Sequence, residues 1–259
     1  MDNRIKTKKV DDCIWLMDDN GEGTGYFVCG EKKAVVIDTM KGIADVHAVV
    51  REITDLPLTV VNTHGHYDHF FGNAYFDCDC FLHPDDLEIA ELHMKLPRLV
   101  KPWKEKKLNM PAFKAINDGD MIDLGGLSLE VISLPGHTPG GICLLLKEKR
   151  VLFTGDGINR HLWMQLKESL PLKAFLENLN SISWVTEKAD RILHGHARDF
   201  ENISLFDELR AGIKELIETK GKSETRYGTK YKWFGGIAKQ YPFGSDENNV
   251  ICYLDKKLD

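Results

Sequence analysis

Short apolar runs alternate along this chain with amphipathic stretches at helical spacing, and that alternation predicts an α/β (α+β) fold. Two further observations agree. Histidines and acids gather just after the apolar runs, where a rigid sheet presents side chains in loops. The 259 residues, of ordinary apolar content, suffice for one large domain or two small ones.

Ala34-Val-Val-Ile-Asp38 reads as a buried strand closed by an acid. A helix over 43–53 follows, with Ile43, Val46, Val49, Val50 and Ile53 on one face. Leu58-Thr-Val-Val-Asn62 is the next strand, and later strands fall at 129–133, 142–146, 150–153 and 190–193. A helix over 171–183 starts near Pro171 and turns Phe175, Leu176, Leu179 and Ile182 inward. A helix over 202–219 buries Ile203, Phe206, Leu209, Ile213 and Leu216 and stops at Lys220-Gly221, a suitable C-terminal glycine.

Two stretches fit the alternation less well. Residues 84–116 are polar, helical and basic in the middle (Lys101-Pro-Trp-Lys-Glu-Lys-Lys107), as expected of an insertion that is either a solvated excursion or a lid. Residues 222–259 form a tail holding Tyr227, Tyr231, Trp233, Phe234, Tyr241 and Phe243, with Val250-Ile-Cys-Tyr253 as one more strand. Its aromatics suit a pocket wall, or more simply ordinary packing or a homodimer contact. Without repeats or low-complexity linkers, the expectation is one domain, 1–221, with 222–259 packed on it as a C-terminal extension.

A formal charge of -6 disfavours nucleic-acid binding through a broad basic surface. No apolar run is long enough for a membrane span, and residues 1–19 lack the apolar core of a secretory signal. Six scattered cysteines in a chain of this length fit free thiols in the cytoplasm. Cys78 and Cys80 read as alternating strand residues before they read as a metal pair.

The most informative stretch is 63–72, Thr-His-Gly-His-Tyr-Asp-His-Phe-Phe-Gly, which places His64, His66, Asp68 and His69 side by side. Neutral imidazole is the commonest metal ligand, and zinc accepts His nitrogen and Asp oxygen together. His137 sits in Leu134-Pro-Gly-His-Thr-Pro-Gly-Gly141, Asp156 follows the 150–153 strand, and His194 and His196 follow the 190–193 strand. The remaining histidines, His47, His83, His93 and His161, are expected to be solvated or helix-capping, and His161 is near enough to Asp156 in sequence to line a pocket.

These segments resemble the metallo-β-lactamase superfamily. Its His-x-His-x-Asp-His signature matches at 64–69, its later single ligands at His137, Asp156 and His196, and its preceding buried acid at Asp38. The resemblance implies a four-layer αββα sandwich with two adjacent metal ions on one edge. His64, His66 and His137 would hold one ion, Asp68, His69 and His196 the other, and Asp156 would bridge them. Asp38 would hold the histidine loop without being a ligand, and His194 would lie beside the ligands or in the pocket. Zinc follows from the histidine-rich set, with iron or manganese as alternatives because the bridging group is a carboxylate. That carboxylate, in place of cysteine, resembles the glyoxalase II-like branch.

The implied chemistry is hydrolysis of a small ester, thioester or lactone by a hydroxide shared between the ions and oriented by Asp68. β-Lactam or phosphodiester hydrolysis is the alternative. Mononuclear iron dioxygenation and non-catalytic binding rank lower, since no ligand of the set is missing. The cysteine-containing loop of true glyoxalase II is absent after Asp156.

Overall fold

The computed structural model describes residues 4–221, 231–233, 236–246 and 248–259. The first sheet runs in chain order: β1 (Lys6–Lys9), β2 (Ile14–Asp18), β3 (Thr24–Cys29), β4 (Ala34–Ile37), β5 (Leu58–Val61), β6 (Cys80–Leu82) and β7 (Phe113–Ala115). Its first four strands are antiparallel, and β4 to β7 are parallel. A second sheet takes β8 (Met121–Asp123), β9 (Ser128–Ser133), β10 (Ile142–Leu146), β11 (Val151–Gly155), β13 (Arg191–His194) and β14 (Glu201–Asn202). The intervening β12 (His161–Trp163) joins β15 (Tyr231–Trp233), β16 (Gly236–Pro242) and β17 (Val250–Tyr253) in a third.

Strand alternation builds the layers. Successive side chains point to opposite faces. Ile14, Leu16, Tyr26, Val28, Val35, Ile37 and Val61 therefore meet Val131, Leu144, Leu146, Val151, Phe153 and Leu193 in a core between the two large sheets. The alternate residues of the first sheet, Phe27, Val36 and Val60 among them, pack outward on Val46 and Val50 of helix α1 (Val46–Arg51). Those of the second sheet, including Cys143, Leu145, Leu152 and Ile192, pack on further helices. These are α5 (Leu172–Ser181), α6 (Val185–Lys188) and α7 (Ser204–Thr219). Helix, sheet, sheet and helix give the expected four layers. Helices α2 (Tyr67–Phe70), α3 (Leu87–Lys95) and α4 (Pro97–Lys106) form a smaller cluster around Phe70, Phe71, Leu82, Ala90, Val100 and Trp103.

Helix α1 is shorter than its apolar spacing predicts. The Asp45 carboxylate accepts from Ala48 N and starts the helix there, leaving Ile43 40% exposed outside it. Residues 84–116 hold α3 and α4 and end in β7, which joins the first sheet beside β6. Tyr241, Phe243, Ile251 and Tyr253 of the C-terminal segment bury themselves against α5 and α7. Tyr227 and Phe234 lie outside the described residues, as do the side chains of Tyr231 and Trp233. No described helix is long and apolar enough to cross a membrane, and all six cysteines are free.

The Phe243 ring crosses α7 at Gly212, where an added Cβ would lie 2.3 Å from the Phe243 Cβ. Phe243→Ala should therefore cost about 3–5 kcal/mol by opening a cavity over that helix. A lowered urea midpoint with an unchanged slope is the expected reading.

Candidate metal centre

Strands β4, β5, β9, β11 and β13 bring the chemically capable residues to one edge of the sandwich. The β4–β5 pair is parallel, as is β11–β13, and two antiparallel steps through β10 align β9 with β11. The C-terminal ends of all five strands therefore deliver Asp38, the 63–69 loop, the His137 loop, Asp156 and the 194–196 loop side by side. Ile142 N donates to the Thr63 carbonyl at 2.9 Å, and Gly195 N to the Gly155 carbonyl at 2.8 Å, joining these loops through main chain.

The side chains converge. His66 Nδ1 lies 3.1 Å from His64 Nε2 and 3.0 Å from His137 Nε2. Asp156 Oδ2 lies 3.3 Å from His196 Nε2, 3.6 Å from His69 Nε2 and 3.8 Å from His137 Nε2. Asp68 Oδ2 is 4.0 Å from His69 Nε2. Three overlapping groups result: His64, His66 and His137; His64, His69 and Asp156; and Asp68, His69 and His196. Gly195 makes the approach possible, since a Cβ there would lie 2.3 Å from Asp156 Oδ1 and 2.6 Å from the His69 ring.

The outer nitrogen of each inner ring faces an oxygen. Carboxylates and carbonyls only accept, so the ring nitrogens facing them carry protons. His69 Nδ1 donates to Asp38 Oδ2 at 2.8 Å, His66 Nε2 to Glu168 Oε1 at 2.8 Å, and His137 Nδ1 to the Trp163 carbonyl at 2.7 Å. The Thr63 hydroxyl donates to Asp38, so its oxygen accepts from His64 Nδ1 at 3.1 Å. All four inward nitrogens are left with lone pairs. Lone pairs facing one another at these distances repel, and a cation among them removes the repulsion. The buried His69 Nε2 and Asp156 Oδ1 also find no hydrogen-bond partner among the described residues. This donor set of imidazoles and carboxylates fits zinc and its neighbours.

Electrostatics point the same way. Burial, with His69, His66 and His137 around it, holds His64 well below the ordinary imidazole value. Burial and His66 push His137 down to about 4. Both rings are neutral, as ligands must be. Burial lowers His69, but Asp38 and Asp156 outweigh it and hold that ring well above its usual value. His196 is likewise lowered by burial and raised further by Asp156. Burial opposes ionisation of Asp156 and Asp68, yet His196 and His69 keep both below the usual carboxylate range. These carboxylates call for positive charge, which a metal ion supplies as well as a proton does.

Asp38 adopts a left-handed backbone, φ 58°, and accepts from Thr63 N and Thr63 Oγ1, each at 2.7 Å, besides His69. Such strain persists where surrounding bonds fix it. His194 is buried behind this edge, its Nδ1 accepting from His196 N at 3.3 Å. Burial and His196 press its pKa down to about 3, and it joins none of the three groups. His93 Nδ1 accepts from Tyr67 N at the start of α2, and its ring lies 5.5 Å from that of His66. His83 caps a short turn through Asp85 N, His47 packs on Phe76, and His161 Nε2 lies 3.2 Å from Cys252 Sγ.

Sequence reasoning missed two acids. Glu168 orients His66. Asp86, fully buried, accepts from Gly65 N at 2.7 Å, Thr138 Oγ1 at 2.7 Å and Gly140 N at 2.6 Å, tying the 63–69 loop to the His137 loop. The His83-Pro-Asp-Asp86 stretch carries only a helix-start signal, and Glu168 carries none.

A family model described as the metallo-beta-lactamase superfamily matches residues 19–196. The human acyl-coenzyme A thioesterase MBLAC2 is 28% identical over 212 residues, covering 70% of this chain and 75% of that protein. A metallo-beta-lactamase from Pontibacter korlensis shares the fold with a TM-score of 0.63 at 18% identity, covering 81% of this chain and 99% of that one. A double mutant of the sec-alkyl sulfatase PisA1 does so at 0.67 and 15% identity, covering 82% of this chain and 42% of that one.

Asp86→Ala strands three donors, two of them backbone amides, at about 1–3 kcal/mol each. The expected loss of stability is about 3 kcal/mol or more, read from urea unfolding.

Proposed function

This chain belongs to the metallo-β-lactamase superfamily, and from that premise we propose that it is a metal-dependent hydrolase acting on thioesters, acyl-coenzyme A first among them. The observation that carries the reading is the set of inward imidazole nitrogens converging with Asp156 and Asp68 on one edge of the sandwich. The thioester class is supported by the similarity to an acyl-coenzyme A thioesterase over 212 residues.

His64, His66 and His137 would hold one ion, and Asp68, His69 and His196 a second. The Asp156 carboxylate faces rings of both sets and would serve both ions. Zinc suits the nitrogen-rich set, with iron or manganese as the alternative. Once bound, such ions supply Lewis acidity, activating water near neutral pH and stabilising oxyanion charge.

The protein supplies orientation. Water adds to the thioester carbonyl, the carbon–sulfur bond breaks, and a carboxylic acid and a thiol leave. Asp68 lies with His69 and His196 on this edge and is assigned the role of orienting the water and accepting its proton. Asp38 keeps His69 facing inward, and the Trp163 carbonyl does the same for His137. The six free thiols fit a reducing compartment, so a cytoplasmic location is part of the proposal.

Purified protein should carry two zinc ions per chain by mass spectrometry and hydrolyse acyl-coenzyme A faster than lactone, β-lactam or phosphodiester substrates. His137→Ala and Asp68→Ala should each lower kcat/KM by at least about a hundredfold with the fold intact, since ligands and bases act as a unit. A chelator should abolish turnover and added zinc restore it. Full activity in either variant would sink the residue assignment, and inert thioesters would sink the substrate class.

A further inference from the structure

Residues 161–170 run from β12 past the candidate centre and position two of its rings. The Trp163 carbonyl takes the His137 Nδ1 proton, and Glu168 takes that of His66 Nε2. Ser169 Oγ donates to the His137 carbonyl at 2.8 Å, and Leu170 N to the Gly136 carbonyl at 2.8 Å. From Met164 to Pro171 this stretch has no helix or strand of its own to stiffen it.

The C-terminal segment stiffens it. Strand β17 pairs in parallel with β12, and Met164 N donates to the Cys252 carbonyl at 2.8 Å. Beyond β17, Lys257 Nζ donates to the carbonyls of Lys167, at 3.2 Å, and Ser169. These two residues flank Glu168, so one ammonium group fixes the main chain on both sides of it. An ammonium has three donors and no acceptor, which suits it to gathering carbonyls.

We propose that Glu168 and Lys257 are positioning residues for the group His64, His66 and His137. Lys257 sets the backbone around Glu168, and Glu168 holds His66 with its Nδ1 turned inward. The inference rests on the metal-centre reading above and adds to it a role for the end of the chain. Without the Glu168 oxygen, His66 is free to carry its proton on Nδ1, where a ligand needs a lone pair. Outer-sphere partners of this kind change metal affinity by about ten- to a hundredfold.

The test uses the full chain with zinc alone, its affinity measured by chelator competition and the His66 tautomer by nitrogen-15 NMR. Glu168→Ala should weaken zinc at the His64, His66 and His137 group by about ten- to a hundredfold and mix the His66 tautomers. Glu168→Gln, whose amide oxygen accepts the same bond, should recover much of both. Lys257→Met keeps the stem, removes the donors, and should weaken zinc by less, with little added effect when Glu168 is already alanine. Urea midpoints of the zinc-free variants should match the parent, separating positioning from folding. Unchanged affinity and tautomer in Glu168→Ala would overturn the proposal, and so would unchanged affinity in Lys257→Met. A parent chain that binds no zinc would instead overturn the metal-centre reading on which the proposal stands.

Discussion

Each inner imidazole faces the centre only because its other nitrogen has a fixed acceptor on the far side. Asp38, Thr63, Glu168 and the Trp163 carbonyl set which nitrogen of His69, His64, His66 and His137 carries the proton. A neutral imidazole has one donor and one acceptor nitrogen, so fixing the first orients the second. His66 shows the sharpness of the constraint. It offers Nδ1 inward where its neighbours offer Nε2, and the Glu168 oxygen on its Nε2 selects that arrangement. Roles of hydrogen at these rings thus follow from oxygens that come from three different parts of the chain.

The sandwich exists to bring those parts together. Asp38 and Thr63 come from the first sheet, whereas Trp163 and Glu168 arrive by way of the second and third. Apolar burial between the sheets supplies most of the adhesion, at roughly 25 cal/mol per Å² of apolar surface. Its non-directional force could not hold atoms within tenths of an ångström. Directional bonds complete the alignment at the edge, through Asp86 across the first ligand loops and Ile142 N on Thr63 between the sheets. Gly195 and Asp86 also show why this edge admits little substitution, since backbone and side chain already touch there.

Legibility in the sequence followed the chemistry of each role. Candidate ligands demand His, Asp or another donor, and the His64 to His69 cluster with His137, Asp156 and His196 stood out for that reason. The outer acceptors demand only an oxygen. Trp163 uses its carbonyl, which any residue has, and Glu168 is distant from His66 along an unpatterned loop. Fold elements divided in the same way. Strands β4, β5, β10 and β11 announced themselves as mostly apolar runs. The Ile14–Asp18 and Thr24–Cys29 strands did not, because an acid closes the first run and Thr24-Gly25 opens the second with residues that read as a turn. Lys6–Lys9 is exposed throughout and Phe113–Ala115 is three residues long, so neither carries a pattern to read.

Charge gives the last argument for the proposed pair of ions. Asp38, Asp68, Asp156 and Glu168 converge on this edge, and none has a lysine or arginine as a close ion-pair partner among the described residues. Buried carboxylates without compensation are costly. The rings that face them have lost their own capacity for charge where burial dominates, as at His64 and His137. Protonating His69 and His196 would compensate only in part and would block two inward lone pairs. Two divalent cations, as proposed, would match four carboxylates in charge and leave every inward nitrogen in use. Burial thus keeps His64 and His137 unprotonated, and at His69 and His196, where the acids favour a proton, a bound cation would take that proton's place.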